Sequence, residues 1–315
     1  MKTGTTMEQN DISRIPVLIV VFNRPWNARR VAESLRAVRP ERIFLACDGP
    51  RADRPGEERR CSEARAAVRE AVDWECRIEE KVQPANLGCG RHMTLAITWF
   101  FSQVESGIIL EDDCLPSPGF FRFAAELLER YRETPEVMML SGTALVRAGT
   151  PPRHDYEFIS FPCCWGWAAW RRSWALMDYD MKDFPRYRRS GKIRERFSSR
   201  TVQKRLLELF GKVYTHAPGF DTWDFQWIYA CVKNDGLCIL PAINLVSNIG
   251  WDASHERIDA VMEMPVEEFS NLRHPESRRR DLELEKIFFD RIYAKAPLYV
   301  RVFNKVKKLF TREKC

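Results

Sequence analysis

The hydrophobic pattern begins with an apolar run, Pro16 to Phe22, rich in Val and Ile and closed by the polar pair Asn23-Arg24. An unbroken run of this length predicts a strand buried on both faces. Pro25 fits the first position of a following helix, Asn23 stands near its cap, and Val31, Leu35 and Val38 recur at helical spacing. The pattern then repeats. Arg42 to Cys47 predicts a second strand, ended by Asp48-Gly49-Pro50. Arg51 to Val72, charged and alanine-rich, predicts a helix, and Cys76 to Val82 a third strand. Asn86-Leu87-Gly88 is a turn, and Arg91 to Val104 a helix with Leu95, Ile97, Phe101 and Val104 apolar. A fourth strand, Ile108-Ile109-Leu110, runs directly into Glu111-Asp112-Asp113.

Strands and helices alternating this closely predict an α/β fold, a mostly parallel sheet with helices on both faces. Ligands of such sheets bind outside the carboxyl ends of the strands. The polar residues that end these strands fall there: Asn23 and Arg24, Asp48, and Glu111 to Asp113. Adjacent carboxylates repel, and burying one unpaired is costly. The triplet is therefore either a solvated corner or the seat of a cation, and carboxylate oxygens suit a hard divalent metal. Its place on one rim with Arg24 and Asp48 favours a nucleotide site with a metal.

Beyond residue 115 the pattern loosens. Phe120 to Arg132 predicts a helix and Val137 to Ser141 a strand. Tyr156 to Trp174 reads as aromatic and irregular, centred on Trp165-Gly166-Trp167-Ala168-Ala169-Trp170. Arg186 to Phe210 is basic and helical, Thr222 to Lys233 a helix, Leu237 to Val246 a strand and Ser247 to His255 a loop. The expected organisation is a polar tail (1–14), one domain (15–258) with halves at 15–115 and 116–258, and a helical basic extension (259–315).

Length and composition change this picture little. The 315 residues, 45% hydrophobic and 30% charged, are ordinary for a globular chain. No apolar run reaches the roughly 18 residues that span a bilayer. Met1 to Arg14 lacks a signal-peptide core, so the expected location is the cytoplasm. The ten cysteines are scattered without a Cys-x-x-Cys pair, which argues against a zinc ribbon or a thioredoxin-type site. Adjacent Cys163-Cys164 read as packed thiols. Charge adds one feature. Residues 301–315 carry six basic side chains against Glu313, interleaved with Val302, Phe303, Val306, Leu309 and Phe310. Such a helix either lies on an anionic membrane or packs on the body of the protein. No nucleic-acid module accompanies the charge, so no nucleic-acid partner is expected.

Four landmarks, in order, carry a family resemblance: the strand into Asn23-Arg24, Asp48-Gly49, Glu111-Asp112-Asp113, and Trp223-Asp224-Phe225-Gln226-Trp227. The chain resembles glycosyltransferases of the GT-A fold, in detail N-acetylglucosaminyltransferases of type I and bacterial family-2-like sugar transferases. The resemblance implies transfer from a nucleoside diphosphate sugar, UDP-linked, to a saccharide or lipid-linked acceptor. The basic C-terminus would hold the chain at the inner membrane face. Asp113 would bind Mn²⁺ or Mg²⁺, with Asp112 near the ribose or the metal's waters and Glu111 near the donor sugar. Asp48 would meet the uracil ring, and Arg24 the nucleotide. Arg91, at a helix start after Gly88 and Gly90, would face the diphosphate or simply solvent. His255 would help hold the metal or the diphosphate.

Asp224 is implied as the base of an inverting reaction. The flanking indoles could stack on a sugar, raise the carboxylate's pKa by desolvation, or form core. Asp221 is its competitor. Trp165 to Trp170 would wall the acceptor side or pack the core. Two rival readings are weaker: a sugar-nucleotide pyrophosphorylase, which should carry a glycine-rich basic loop where Asn23-Arg24-Pro25 stands, and a non-catalytic binding protein of the same fold, against which Asp113 and Asp224 argue.

Overall fold

The computed structural model describes residues 12–144, 154–250, 266–267, 269 and 271–293. Its centre is an eight-stranded sheet in the order β3-β2-β1-β4-β8-β6-β9-β7. The strands are β1 (Val17–Val21), β2 (Arg42–Cys47), β3 (Arg77–Val82), β4 (Ser106–Glu111), β6 (Val137–Ser141), β7 (Tyr156–Ile159), β8 (Trp167–Trp170) and β9 (Leu237–Pro241). β7 and β8 run against the other six, so the sheet is mostly parallel. A separate two-stranded ribbon pairs β5 (Cys114–Pro116) with β10 (Val246–Asn248), Val246 opposite Pro116 and Asn248 opposite Cys114.

The first four strands fold as their patterns predict. β1 is buried along its whole length between β2 and β4, both parallel to it. Helix α1 (Pro25–Ser34) starts with Pro25, which needs no amide partner, and buries Ala28, Val31 and Ala32. Its cap residue is Arg24, without a side-chain cap; the Asn23 amide donates instead to Glu57 at 2.8 Å. Helix α2 is Glu57–Ala71, shorter than the predicted 51–72, because Pro55-Gly56 precedes it and Gly56 takes φ +79°. Helix α3 (Cys89–Gln103) covers the sheet face that carries Leu18, Phe44 and Ile109, and α4 (Pro118–Arg130) lies with Ile19 and Leu110. Ser117 caps α4 by accepting from the Phe120 amide.

The stretch expected to be irregular contains two strands of the sheet, β7 and β8. In β8, Trp167 and Ala169 join one core while Ala168 and Trp170 join the other. One Trp and one Ala face each way, so a period of two is present, but both faces are apolar and no polar residue marks it. The single strand expected over 237–246 is two: β9 ends at Pro241, and the chain turns before β10 enters the ribbon.

The basic helix expected over 186–210 is three. They are α6 (Phe184–Ser190), α7 (Ile193–Arg196) and α8 (Arg200–Tyr214), following the short α5 (Arg171–Trp174). Gly191, at φ +74°, ends the first of the three. Helix α9 is Asp224–Lys233. Within 271–293 the only helix among the described residues is α10 (Leu282–Ile292), capped by Asp281, with Phe288 and Phe289 in the core around Phe161 and Tyr229. Residues 271–281 are not helical, which corrects the expected helical tail there; residues 294–315, with the basic segment 300–315, and residues 1–11 of the N-terminal tail lie outside the described residues.

Candidate active site

Strand order turns at β1. From it the chain builds outward to β2 and β3, then crosses to place β4 on its other side. The crevice at the carboxyl ends of β1 and β4 is therefore the switch point of the sheet, where side chains from two directions can meet one ligand. Phe22 to Arg24, Asp48 and Glu111 to Asp113 all follow strands ending on this rim.

The acids are tied to the first loop. Asp112, buried, accepts from the Phe22 amide at 3.2 Å and faces Arg24 Nη1 at 3.3 Å. Asp113 Oδ2 accepts from the same Nη1 at 2.8 Å, and its Oδ1 takes a weak contact from the Cys114 thiol at 3.5 Å. Burial, then repulsion by Asp113, Asp112 and Asp224, pushes Glu111 well above the carboxylate range. Burial pushes Asp112 up to about 7 against the pull of Arg24. A single guanidinium thus faces three mutually repelling carboxyl groups, Glu111, Asp112 and Asp113.

The ribbon closes this end of the site. The Ile249 amide donates to the Asp113 carbonyl at 2.7 Å, and Asn27 Nδ2 donates to the Ile249 carbonyl at 3.0 Å. Gly250 follows directly above the charges. A Cβ there would lie 2.4 Å from Asp113 Oδ2 and 2.8 Å from Arg24 Nη1. Only glycine lets this backbone approach.

Asp224 comes from the other half of the chain, at the first position of α9, where it accepts from the Thr222 hydroxyl. Burial raises it to about 6, against the helix amides that favour its charge. Its field reaches Glu111. Asp221 does something different. It accepts from the Cys89 amide with Oδ2 and the Gly90 amide with Oδ1, both at 3.0 Å, and so caps α3 from 131 and 132 residues away. A Cβ on Gly88 or Gly90 would fall 2.5 or 2.8 Å from that carboxylate. Asp221 is thus held as the cap of α3, whereas Asp224 accepts from the Thr222 hydroxyl. The same cap fills the amides at the start of α3. Arg91, exposed in that first turn, therefore does not stand beside an open helix end.

Asp48 is buried and accepts from three donors: the Gly49 and Leu87 amides at 2.9 and 3.0 Å, and Asn86 Nδ2 at 2.9 Å. It clamps the loop after β3 to the loop after β2. An ionised carboxylate has about four acceptor positions, so one is left for a ligand. His255 lies outside the described residues.

The indoles around Asp224 are core. Trp223 and Trp227 are buried and gather with Trp167 and Trp174; Trp167 and Trp223 stack at 5.7 Å and Trp174 meets Trp227 at 5.2 Å. Buried rings present no face to a sugar, which corrects the stacking expectation and leaves desolvation as their effect. Of the Trp165–Trp170 wall only Trp165 keeps partial exposure.

Two further residues shape the rim without a signal in the sequence. Glu57, fully buried, accepts from Asn23 and from the Arg51 amide at 2.8 Å and its guanidinium at 3.0 Å, joining the loops after β1 and β2. Asn86 braces Asp48.

Among the described residues no group of three or more His, Cys, Asp or Glu side chains is arranged to hold a metal by itself. The acids nonetheless fit a hard divalent cation bound through Asp113. The carboxyl groups of Glu111, Asp112 and Asp113 outnumber the one guanidinium beside them, and such ions take water and phosphate oxygens for their remaining places.

No protein-family model matches the sequence, and no curated protein matches it. Weak structural neighbours are two solved structures of UDP-glucose pyrophosphorylase, each at 9% identity. The one complexed with UDP-glucose has a TM-score of 0.32, covering 51% of this chain and 79% of its own. The apo form has a TM-score of 0.35, covering 74% and 93%. Likeness this slight bears neither on membership of a family nor on what the chain binds.

Proposed function

We propose that the chain is a metal-dependent, inverting glycosyltransferase that moves a sugar from a nucleoside diphosphate donor, UDP-linked, to a saccharide or lipid-linked acceptor. The observation that carries this reading is the division of carboxylates. Those on β4 crowd the switch-point crevice with one guanidinium, while Asp224 approaches from a different element with a raised pKa and its own hydrogen bond.

In this reading Arg24 and Asp113 hold the diphosphate end of the donor, the latter through Mn²⁺ or Mg²⁺, with His255 as a further contact. When bound, the cation offsets negative charge on the departing diphosphate. Asp48 offers its remaining acceptor position to the uracil N–H, Arg91 lies toward the diphosphate side, and Glu111 and Asp112 face the donor sugar and ribose. Asp224 takes the proton of the acceptor hydroxyl as that oxygen bonds to the anomeric carbon. The bond from the anomeric carbon to the diphosphate oxygen breaks, and its electron pair leaves with the nucleoside diphosphate. A base near 6 is ionised at neutral pH yet more basic than an ordinary aspartate, which suits the task.

The test is release of UDP from UDP-sugars with Mn²⁺, with and without saccharide acceptors, run beside formation of UDP-sugar and pyrophosphate from UTP and a sugar 1-phosphate. UDP release, lost in Asp113→Ala, is the expected outcome. Pyrophosphate formation without UDP release would assign the site to a pyrophosphorylase instead. Neither activity, together with no binding of any nucleotide sugar, would leave a non-catalytic fold.

A further inference from the structure

Away from the crevice, helices α6, α7 and α8 line an open groove of about 880 Å³ that carries Arg188, Arg194, Arg200, Lys204 and Lys212, with Glu208 among them. Helix α8 explains how one element serves both core and groove. Leu206, Leu209, Phe210 and Val213 are buried, while Arg200, Lys204, Glu208 and Lys212 follow each other at every fourth position along the opposite face. Gly191 lets α6 end and α7 begin within two residues, bringing Arg188 and Arg194 to the same concavity.

The charges there are not balanced. Glu208 is shared between Lys212 at 3.4 Å and Arg205 at 3.5 Å. Among the described residues Arg188, Arg194, Arg200 and Lys204 have no carboxylate partner. Like charges gathered in one concavity repel. Arg200 and Lys204, one turn apart, destabilise their own helix. Among the described residues lining the groove Glu208 is the one carboxylate against five basic side chains, and an anion from outside would offset the remainder. Three guanidinium groups suit phosphate, whose oxygens take paired N–H donors. The concave shape suits a discrete group rather than the extended backbone of a polymer.

We infer that this groove is a second anion site, taking a phosphate-bearing group, and separate from the carboxylate crevice. It shares no residue with that crevice, and the inference stands whether or not the chain transfers sugars. The group could belong to a soluble phosphate compound or to the headgroup of an anionic lipid; the chemistry of recognition is the same.

The test uses the full chain in EDTA, so that no metal draws phosphate to Asp113. Inorganic pyrophosphate is titrated by thermal shift, and vesicles of phosphatidylglycerol or phosphatidylcholine are used in co-sedimentation. The variants are Arg188→Gln/Arg194→Gln/Arg200→Gln, Lys204→Gln and Asp113→Ala. All three arginines are exposed, so the triple variant should melt with the wild type in the absence of ligand. The expected result is saturable binding of pyrophosphate or of phosphatidylglycerol vesicles, weakened at least tenfold in the triple variant and about threefold in Lys204→Gln, and unchanged in Asp113→Ala. Pyrophosphate binding with vesicle binding equal in wild type and triple variant identifies a soluble ligand. Vesicle binding lost in the triple variant and displaced by pyrophosphate identifies the headgroup. Equal binding of both probes by wild type and triple variant, no binding of either, or loss of pyrophosphate binding in Asp113→Ala would overturn the inference.

Discussion

Asp224→Asn should make the protein both more stable and nearly inactive. Burial pushes the carboxyl up to about 6 in the fold, from 3.8 for a free aspartate. At about 1.4 kcal/mol per pH unit, holding its charge costs the native state roughly 3 kcal/mol at neutral pH. Asn keeps the acceptor for Thr222 but brings an amide that needs its own partner, and it gives up about 0.3–1 kcal/mol of favourable charge at a helix start. The net expected gain is about 2 kcal/mol, or roughly 4 °C in Tm for a chain of this size.

The sign with pH is fixed. A carboxyl raised in the fold binds more protons than the unfolded chain between its two pKa values, so wild-type stability falls as pH rises from 3.8 to about 6. The advantage of the variant should therefore be absent near pH 4 and complete above 6. Removal of a general base costs about 10²–10⁴ in rate, so turnover should collapse while donor affinity is spared. The assays are thermal melts across pH and UDP release with acceptor. Turnover within threefold of wild type would move the base elsewhere, and a lower Tm at pH 7 would refute the burial argument.

Three other outcomes follow from the same geometry. Gly250→Ala should weaken metal-dependent donor binding at least tenfold, measured by calorimetry, because its Cβ would lie 2.7 Å from the Asp113 Cβ and 2.8 Å from Arg24 Nη1, so Asp113 must shift. Glu57→Gln should lower stability by about 2 kcal/mol in urea melts at pH 7, because hydrogen bonds to a buried charge are lost. Arg51 holds that carboxyl down at about 2, so the deficit should narrow as pH falls from 4.5 toward 2. Asp221→Asn, which disturbs a helix cap, should cost about 1 kcal/mol of stability and reduce turnover by less than a tenth of the Asp224→Asn effect. A larger kinetic effect would exchange their roles.

The half of the chain that builds the crevice was legible because its strands are continuous apolar runs and polar residues mark their ends. Val17–Val21 and Arg42–Cys47 need no context to be read. The second half hides its strands. Trp167–Trp170 alternates large and small residues between two apolar faces, and the ribbon strands are three residues each, defined by pairing across more than a hundred positions. Asp221 lies 131 and 132 residues from the amides it caps, and Glu57 lies 34 residues from Asn23; spacing along the chain carries no trace of such contacts. The tryptophans misled for a related reason. Burial and sugar stacking call for the same residue type, and only accessible surface separates them.

The central claim is that the β1–β4 crevice binds a nucleoside diphosphate sugar together with a divalent cation held on Asp113. It is tested most directly by thermal shift of wild type and Asp113→Ala with UDP-, GDP- and dTDP-sugars, each with and without Mn²⁺, since a ligand that binds only the folded state raises Tm. The account expects at least one UDP-sugar to stabilise the wild type only when Mn²⁺ is present, and none to stabilise Asp113→Ala. Equal shifts with and without Mn²⁺, or equal shifts in the two proteins, would contradict it.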